Sequence, residues 1–126
     1  MGSKIATSHD GMVRHVARHL KQRFYQDIRA RAPGFRVPER VSEGGNNGAA
    51  WLPDVTMIAK GSQLHVLEVE TPETLSERQT QERWRLLARH ARQRGGSLWL
   101  VVPSGFRAEA ANRLQSLALE ANIWEV

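Results

Sequence analysis

Cysteine is absent from the 126-residue chain, which excludes disulfides, thiolate nucleophiles and cysteine-based zinc sites. Lysine is scarce: Lys4, Lys21 and Lys60 are the only ones, so 15 of the 18 basic side chains are arginine. No apolar run approaches a membrane span, and the N-terminus lacks the apolar core of a signal peptide, so the expected location is cytoplasmic with no membrane partner. HExxH, GxSxG, GxxxxGK[ST] and GxGxxG are all missing. Their absence removes the zinc-protease helix, the serine-hydrolase elbow and the usual phosphate-cradling loops.

What is present fits one domain, residues 1–126, with one core, since 40% of the residues are hydrophobic. The formal net charge is +5. Arginine presents a planar fork suited to two-point phosphate contacts, so an arginine-heavy basic domain points toward a nucleic-acid partner. A GC-rich genome would give the same composition without such a partner.

The most informative stretch runs from Leu52 to Pro72. Val55 to Ala59 and Leu64 to Val69 are strand-like runs, and Lys60-Gly61-Ser62 between them is turn chemistry. A three-residue loop pairs Ala59 with Gln63 and sets Asp54 opposite Glu68; a four-residue loop would shift that register. Glu68 and Glu70, two apart, share one face. Like charges facing one another destabilise a sheet, and a hard divalent cation resolves the conflict by taking carboxylate oxygens.

Pro53-Asp54 followed by Glu68-Val69-Glu70 resembles the motif of the PD-(D/E)XK nuclease superfamily. The resemblance implies that Asp54, Glu68 and the Val69 carbonyl hold Mg²⁺, with Mn²⁺ as an alternative. The motif's usual final lysine is replaced by Glu70, as in some restriction enzymes. Glu70 is then a base, a second-metal ligand or a water-positioning group. The missing positive charge is left to a second metal, an arginine or a partner subunit.

The rest of the chain supplies the expected surroundings. Residues 8–32 read as a helix with Val13, Val16, Leu20, Phe24 and Ile28 as its stripe, ended by Pro33-Gly34. His15 and His19 lie four apart on it, as a metal pair or as two solvated histidines. Residues 35–43 alternate like a short strand, and 44–48 form a glycine- and asparagine-rich loop. Residues 74–94 read as a helix capped by Ser76 with Gln79 and buried along Trp84, Leu87, Ala88 and Ala91. Its remaining surface is basic: Arg78, Arg83, Arg85, Arg89, Arg92 and Arg94. In the resembled superfamily this helix often brings a glutamine to the site, which here means Gln79 or Gln81. Residues 97–103 read as a strand buried on both faces. A helix after Ser104-Gly105, burying Phe106, Ala110, Leu114, Leu117, Ala118 and Ala121, leads to a last strand at 123–126.

The expected fold is α/β: a restriction endonuclease-like αβββαβ core with an added C-terminal helix and short strand, its mixed sheet flanked by helices. The expected function is a metal-dependent endonuclease hydrolysing phosphodiester bonds of DNA, with RNA also open. Asp54, Glu68, Glu70 and Gln79 are the catalytic candidates. Arg78, Arg85, Arg89 and Arg92 are the nucleic-acid candidates. Cleaving both strands favours a homodimer. The alternative is an inactive nucleic-acid-binding or protein-interaction domain on the same fold.

Overall fold

The computed structural model describes residues 8–42 and 50–126; the expected 44–48 loop lies outside them. Helix α1 (His9–Gln22) starts at Ser8, whose hydroxyl accepts the Gly11 N–H at 3.1 Å. It buries Met12, Val13, Val16, Ala17 and Leu20. The helix expected to continue to residue 32 stops here. Phe24 and Asp27 take positive φ (61° and 46°), and the chain returns as strand β1 (Gln26–Ala30). Phe24 and Ile28 are four residues apart, a spacing that fits the helical and the strand period alike. Ile28 is half-buried on the sheet, whereas Phe24 is 90% exposed rather than in the core.

The expected strand at 35–43 is also redrawn. Arg36 makes only an isolated bridge to Arg29, with its carbonyl accepting the Ala30 N–H. Strands β2 (Val41–Ser42) and β3 (Ala50–Trp51) pair as a separate two-stranded sheet. Pro38, lacking an N–H, cannot continue a ladder here.

Strands β4 (Val55–Ala59) and β5 (Gln63–Val69) form the expected hairpin, with Ala59 facing Gln63 across the Lys60–Ser62 turn. After β5 come a short helix α2 (Pro72–Leu75) and the longer α3 (Arg78–Gln93), not one continuous helix. The capping box belongs to Thr71 and Thr74 rather than to Ser76 and Gln79, because Pro72 is itself the first-turn residue. Strand β6 (Leu98–Val102), helix α4 (Arg107–Ser116) and strand β7 (Asn122–Glu125) complete the chain. Ala118, at φ 50°, lies just past the end of α4, so Ala118 and Ala121 are not helical.

The main sheet is ordered β1-β4-β5-β6-β7, antiparallel up to β5 and parallel from β5 to β7. It is therefore a mixed five-stranded sheet flanked by helices. One face carries α1 over Val55, Met57, Leu67 and Val69. The other carries α3 and α4 over Val66, Leu98, Leu100 and Val102. Gly96 is fixed by this crossing: a Cβ there would stand 1.7 Å from the Leu64 carbonyl oxygen.

Candidate active site: three carboxylates around one arginine

Along β5 the side chains alternate, so Glu68 and Glu70 leave the sheet on the α3 side while Leu67 and Val69 enter the α1 layer. The register pairs Val55 with Leu67, and one step further sets Asp54 against Glu68. Two hydrogen bonds clip the pair together. The Asp54 N–H donates to Glu68 Oε2, and the Val69 N–H donates to Asp54 Oδ2, both at 2.9 Å. Bonds from an N–H to a carboxylate are each worth about 1.5–3 kcal/mol. They orient both groups and leave Asp54 Oδ1 and Glu68 Oε1 without backbone partners among the described residues.

All three carboxylates are nearly sealed from water: Asp54 is 5% exposed, Glu68 1% and Glu70 0%. Burial, then the neighbouring Asp54 charge, pushes the Glu68 carboxyl well above its ordinary range, with Arg83 pulling the other way. A carboxyl so placed takes up a proton more readily than a solvated one.

Arg83, on the second turn of α3, supplies the compensating charge. Its Nη2 donates to both oxygens of Glu70, at 2.8 Å and 2.9 Å. Its Nε stands 3.1 Å from Glu68 Oε1, an ion-pair distance, but its N–H is not aimed at that oxygen and makes no hydrogen bond. The Trp84 indole N–H donates to Glu70 Oε2 at 2.9 Å. The Trp51 ring covers the guanidinium, 4.8 Å from ring centroid to Cζ. At the other side of the cluster, His9 Nε2 lies 3.0 Å from Asp54 Oδ1 and Arg31 Nη1 lies 3.7 Å from it. The bond to Asp54 raises the His9 imidazole above its ordinary value against the opposing effect of burial.

The hairpin thus brings Asp54, Glu68 and Glu70 together, as the spacing predicts. Gln79 is exposed on the first turn of α3 and bonds to none of the three among the described residues. The residue α3 does bring is Arg83, which the sequence places among the basic surface residues of that helix. Arg83 lies four positions before Leu87, at the margin of the buried stripe, and that spacing was the available signal. His9, in the first turn of α1, also joins the cluster, and nothing in its sequence position beyond that turn points to it. Arg78, Arg85, Arg89 and Arg92 are all exposed on α3, with Arg85 Nη2 donating to the Leu117 carbonyl at 3.1 Å. His15 and His19 stand 6.5 Å apart, centroid to centroid.

Among the described residues, no group of three or more His, Asp and Glu side chains is arranged as a metal cage. Mg²⁺ does not need one: it is commonly held by one or two carboxylates together with waters and substrate oxygens. Here Asp54 Oδ1 faces His9 and Arg31, and Glu68 Oε1 faces Arg83 Nε. The Val69 carbonyl lies on the same edge of the strand as the Val69 N–H that reaches Asp54, because a residue in an extended strand turns both groups the same way.

No protein-family model, curated protein or solved structure matches the chain.

Proposed function

We propose that the chain is a metal-dependent nuclease of the PD-(D/E)XK kind, in which Arg83 carries the positive charge that the motif normally places where Glu70 stands. The observation that carries the reading is the Arg83 guanidinium set between Glu68 and Glu70. The order helix, three antiparallel strands, helix, parallel strand, with the acidic pair at one end of the central hairpin, supports the same reading.

In this proposal Asp54, Glu68 and the Val69 carbonyl hold the cation. Bound there, Mg²⁺ would supply Lewis acidity toward a phosphate oxygen and a water of lowered pKa. Arg83 faces the developing negative charge on the phosphate. Glu70, sealed and engaged through both oxygens, serves to hold Arg83 in place; that replaces the roles of base, metal ligand or water-positioner expected for it. Trp51 covers the guanidinium, and the Trp84 indole holds Glu70. His9 and Arg31, beside Asp54 Oδ1, are placed where they would pair with a substrate phosphate. The exposed arginines of α3 contact the nucleic-acid backbone.

The test is cleavage of supercoiled, linear, single-stranded and branched DNA with Mg²⁺ and with Mn²⁺. Cleavage that requires the metal and Asp54 is expected.

A second reading is favoured by a separate observation. His9 and Arg31 at Asp54, and Arg83 between the two glutamates, already balance the cluster without a metal. A non-catalytic binding domain on this fold needs nothing more, and it would cleave none of these substrates with either metal.

A further inference from the structure

Away from the carboxylates, a second surface combines strain, exposed rings and a charge of one sign. Phe24 is held at φ 61°, a region that costs a bulky side chain about 1–2 kcal/mol, and its ring is 90% exposed. Neither strain nor exposure serves the core. Tyr25, next to it and 41% exposed, lines two adjoining hollows. One, of about 350 Å³, lies under the end of α1 and is walled by Trp99, Trp124, His19 and Met57. The other, of about 390 Å³, opens toward the hairpin turn and is walled by Phe24, Ile58 and His65.

The hollows are tied together by a bond between their walls, the Trp99 indole N–H of the first donating to His65 Nδ1 of the second at 3.2 Å. In the first, the His19 and Trp124 rings stand 4.9 Å apart. Burial holds His19 and His65 below the ordinary histidine value, so both present neutral rings. The charges at the rims are Arg23 in the first hollow and Lys60 in the second, and among the described residues no Asp or Glu lines either one. In a chain with 13 acidic residues, two adjoining hollows of rings, cations and no carboxylate select a ligand with flat apolar faces and negative charge.

We infer that this surface binds single-stranded nucleic acid, seating two successive bases in the hollows on either side of Tyr25 with their phosphates toward Arg23 and Lys60. A single strand is favoured over a duplex because only an unpaired base offers its face to a ring. The site is independent of the carboxylate cluster and requires neither metal nor cleavage, so its failure and that of the nuclease reading are separate results.

The test uses the full chain in metal-free buffer. Tryptophan fluorescence and anisotropy follow titration with an eight-residue oligothymidylate, a blunt duplex and thymidine monophosphate. The octamer should quench tryptophan emission and bind more tightly than the duplex or the monophosphate. Phe24→Gly is the informative variant, because glycine relieves the positive φ and stability should hold or rise. It should nonetheless weaken octamer binding by roughly 5- to 100-fold, as should Tyr25→Ala. Unchanged affinity in both Phe24→Gly and Tyr25→Ala overturns the inference. Equal affinity for the monophosphate overturns the two-base site, and equal affinity for the duplex overturns its single-strand preference. A dimer in sedimentation that Phe24→Gly splits, with no oligonucleotide binding, would make the patch a self-association surface and overturn it as well.

Discussion

Arg83 grips Glu70 with one nitrogen, its Nη2 standing 2.8 Å and 2.9 Å from the two carboxylate oxygens. With Glu70 at 0% exposure and the Arg83 side chain at 15%, the pair is a buried ion pair whose members depend on each other.

Removing one partner should therefore cost more than removing both charges. Arg83→Met strands two buried carboxylates and should lower stability by about 3–5 kcal/mol in denaturant titrations. The double change Arg83→Met with Glu70→Gln keeps an acceptor for the Trp84 indole and should recover a substantial part of that loss. A double variant as unstable as the sum of the two single variants would show that the pair is not coupled.

Asp54→Asn tests the cation site without touching the core. In wild type, Mn²⁺ or Mg²⁺ should raise the melting temperature with rising metal concentration, as any ligand of the folded state does. Asp54→Asn should abolish that rise. It should also lower the Glu68 carboxyl toward its ordinary value, because the Asp54 charge is the second cause of its elevation after burial. Carbon-detected NMR titration of the glutamate side chains reads the second effect, and an unmoved Glu68 would argue against the charge coupling.

His9 gives the pH dependence. Its imidazole is raised from the ordinary 6.5, first by the bond to Asp54. A raised group binds its proton more tightly in the folded state, so its stabilisation is complete below about 6.5 and is lost as pH rises through the raised value. Wild type should thus melt higher than His9→Gln in mild acid, and the gap should close on the alkaline side. A gap that is constant with pH would mean that His9 contributes by packing alone.

The basic face of α3 predicts a salt dependence. Arg85 and Arg89 lie one turn apart on the exposed surface. Replacing both with Ala should lower the slope of log affinity for DNA against log salt by about two units, since each phosphate contact contributes about 0.9. An unchanged slope would place the duplex on another face.

How far the sequence disclosed all this depends on the range of the determining interactions. Asp54 opposite Glu68 was legible because a three-residue turn fixes its neighbours' register locally. The mixed sheet flanked by helices followed from the alternation of strand and helix patterns. The end of α1 was not legible, because Phe24 and Ile28 satisfy two periods at once and only the positive φ at Phe24 and Asp27 decides between them. Val41 pairing with Trp51 was not legible either, because the alternation of 35–43 suggests a strand without naming its partner. Arg83 is the clearest case. On its own helix it is one basic residue among several, and what turns it inward is the carboxylate pair on β5, a relationship 13 residues long in the case of Glu70. Only its place four before Leu87, at the margin of the buried stripe, sets it apart from the exposed α3 arginines in the sequence.

The central claim, that Arg83 is the working cation of a metal-dependent carboxylate site, is tested most directly by DNA cleavage with Mg²⁺ and Mn²⁺ in wild type, Arg83→Lys and Arg83→Gln, each shown to be folded by its melting curve. Metal-dependent cleavage is predicted in wild type, a reduced rate in Arg83→Lys, and a loss of at least about 10²-fold in Arg83→Gln, the scale of removing one group that stabilises transition-state charge. Cleavage by Arg83→Gln at the wild-type rate, or none by wild type with either metal, would contradict it.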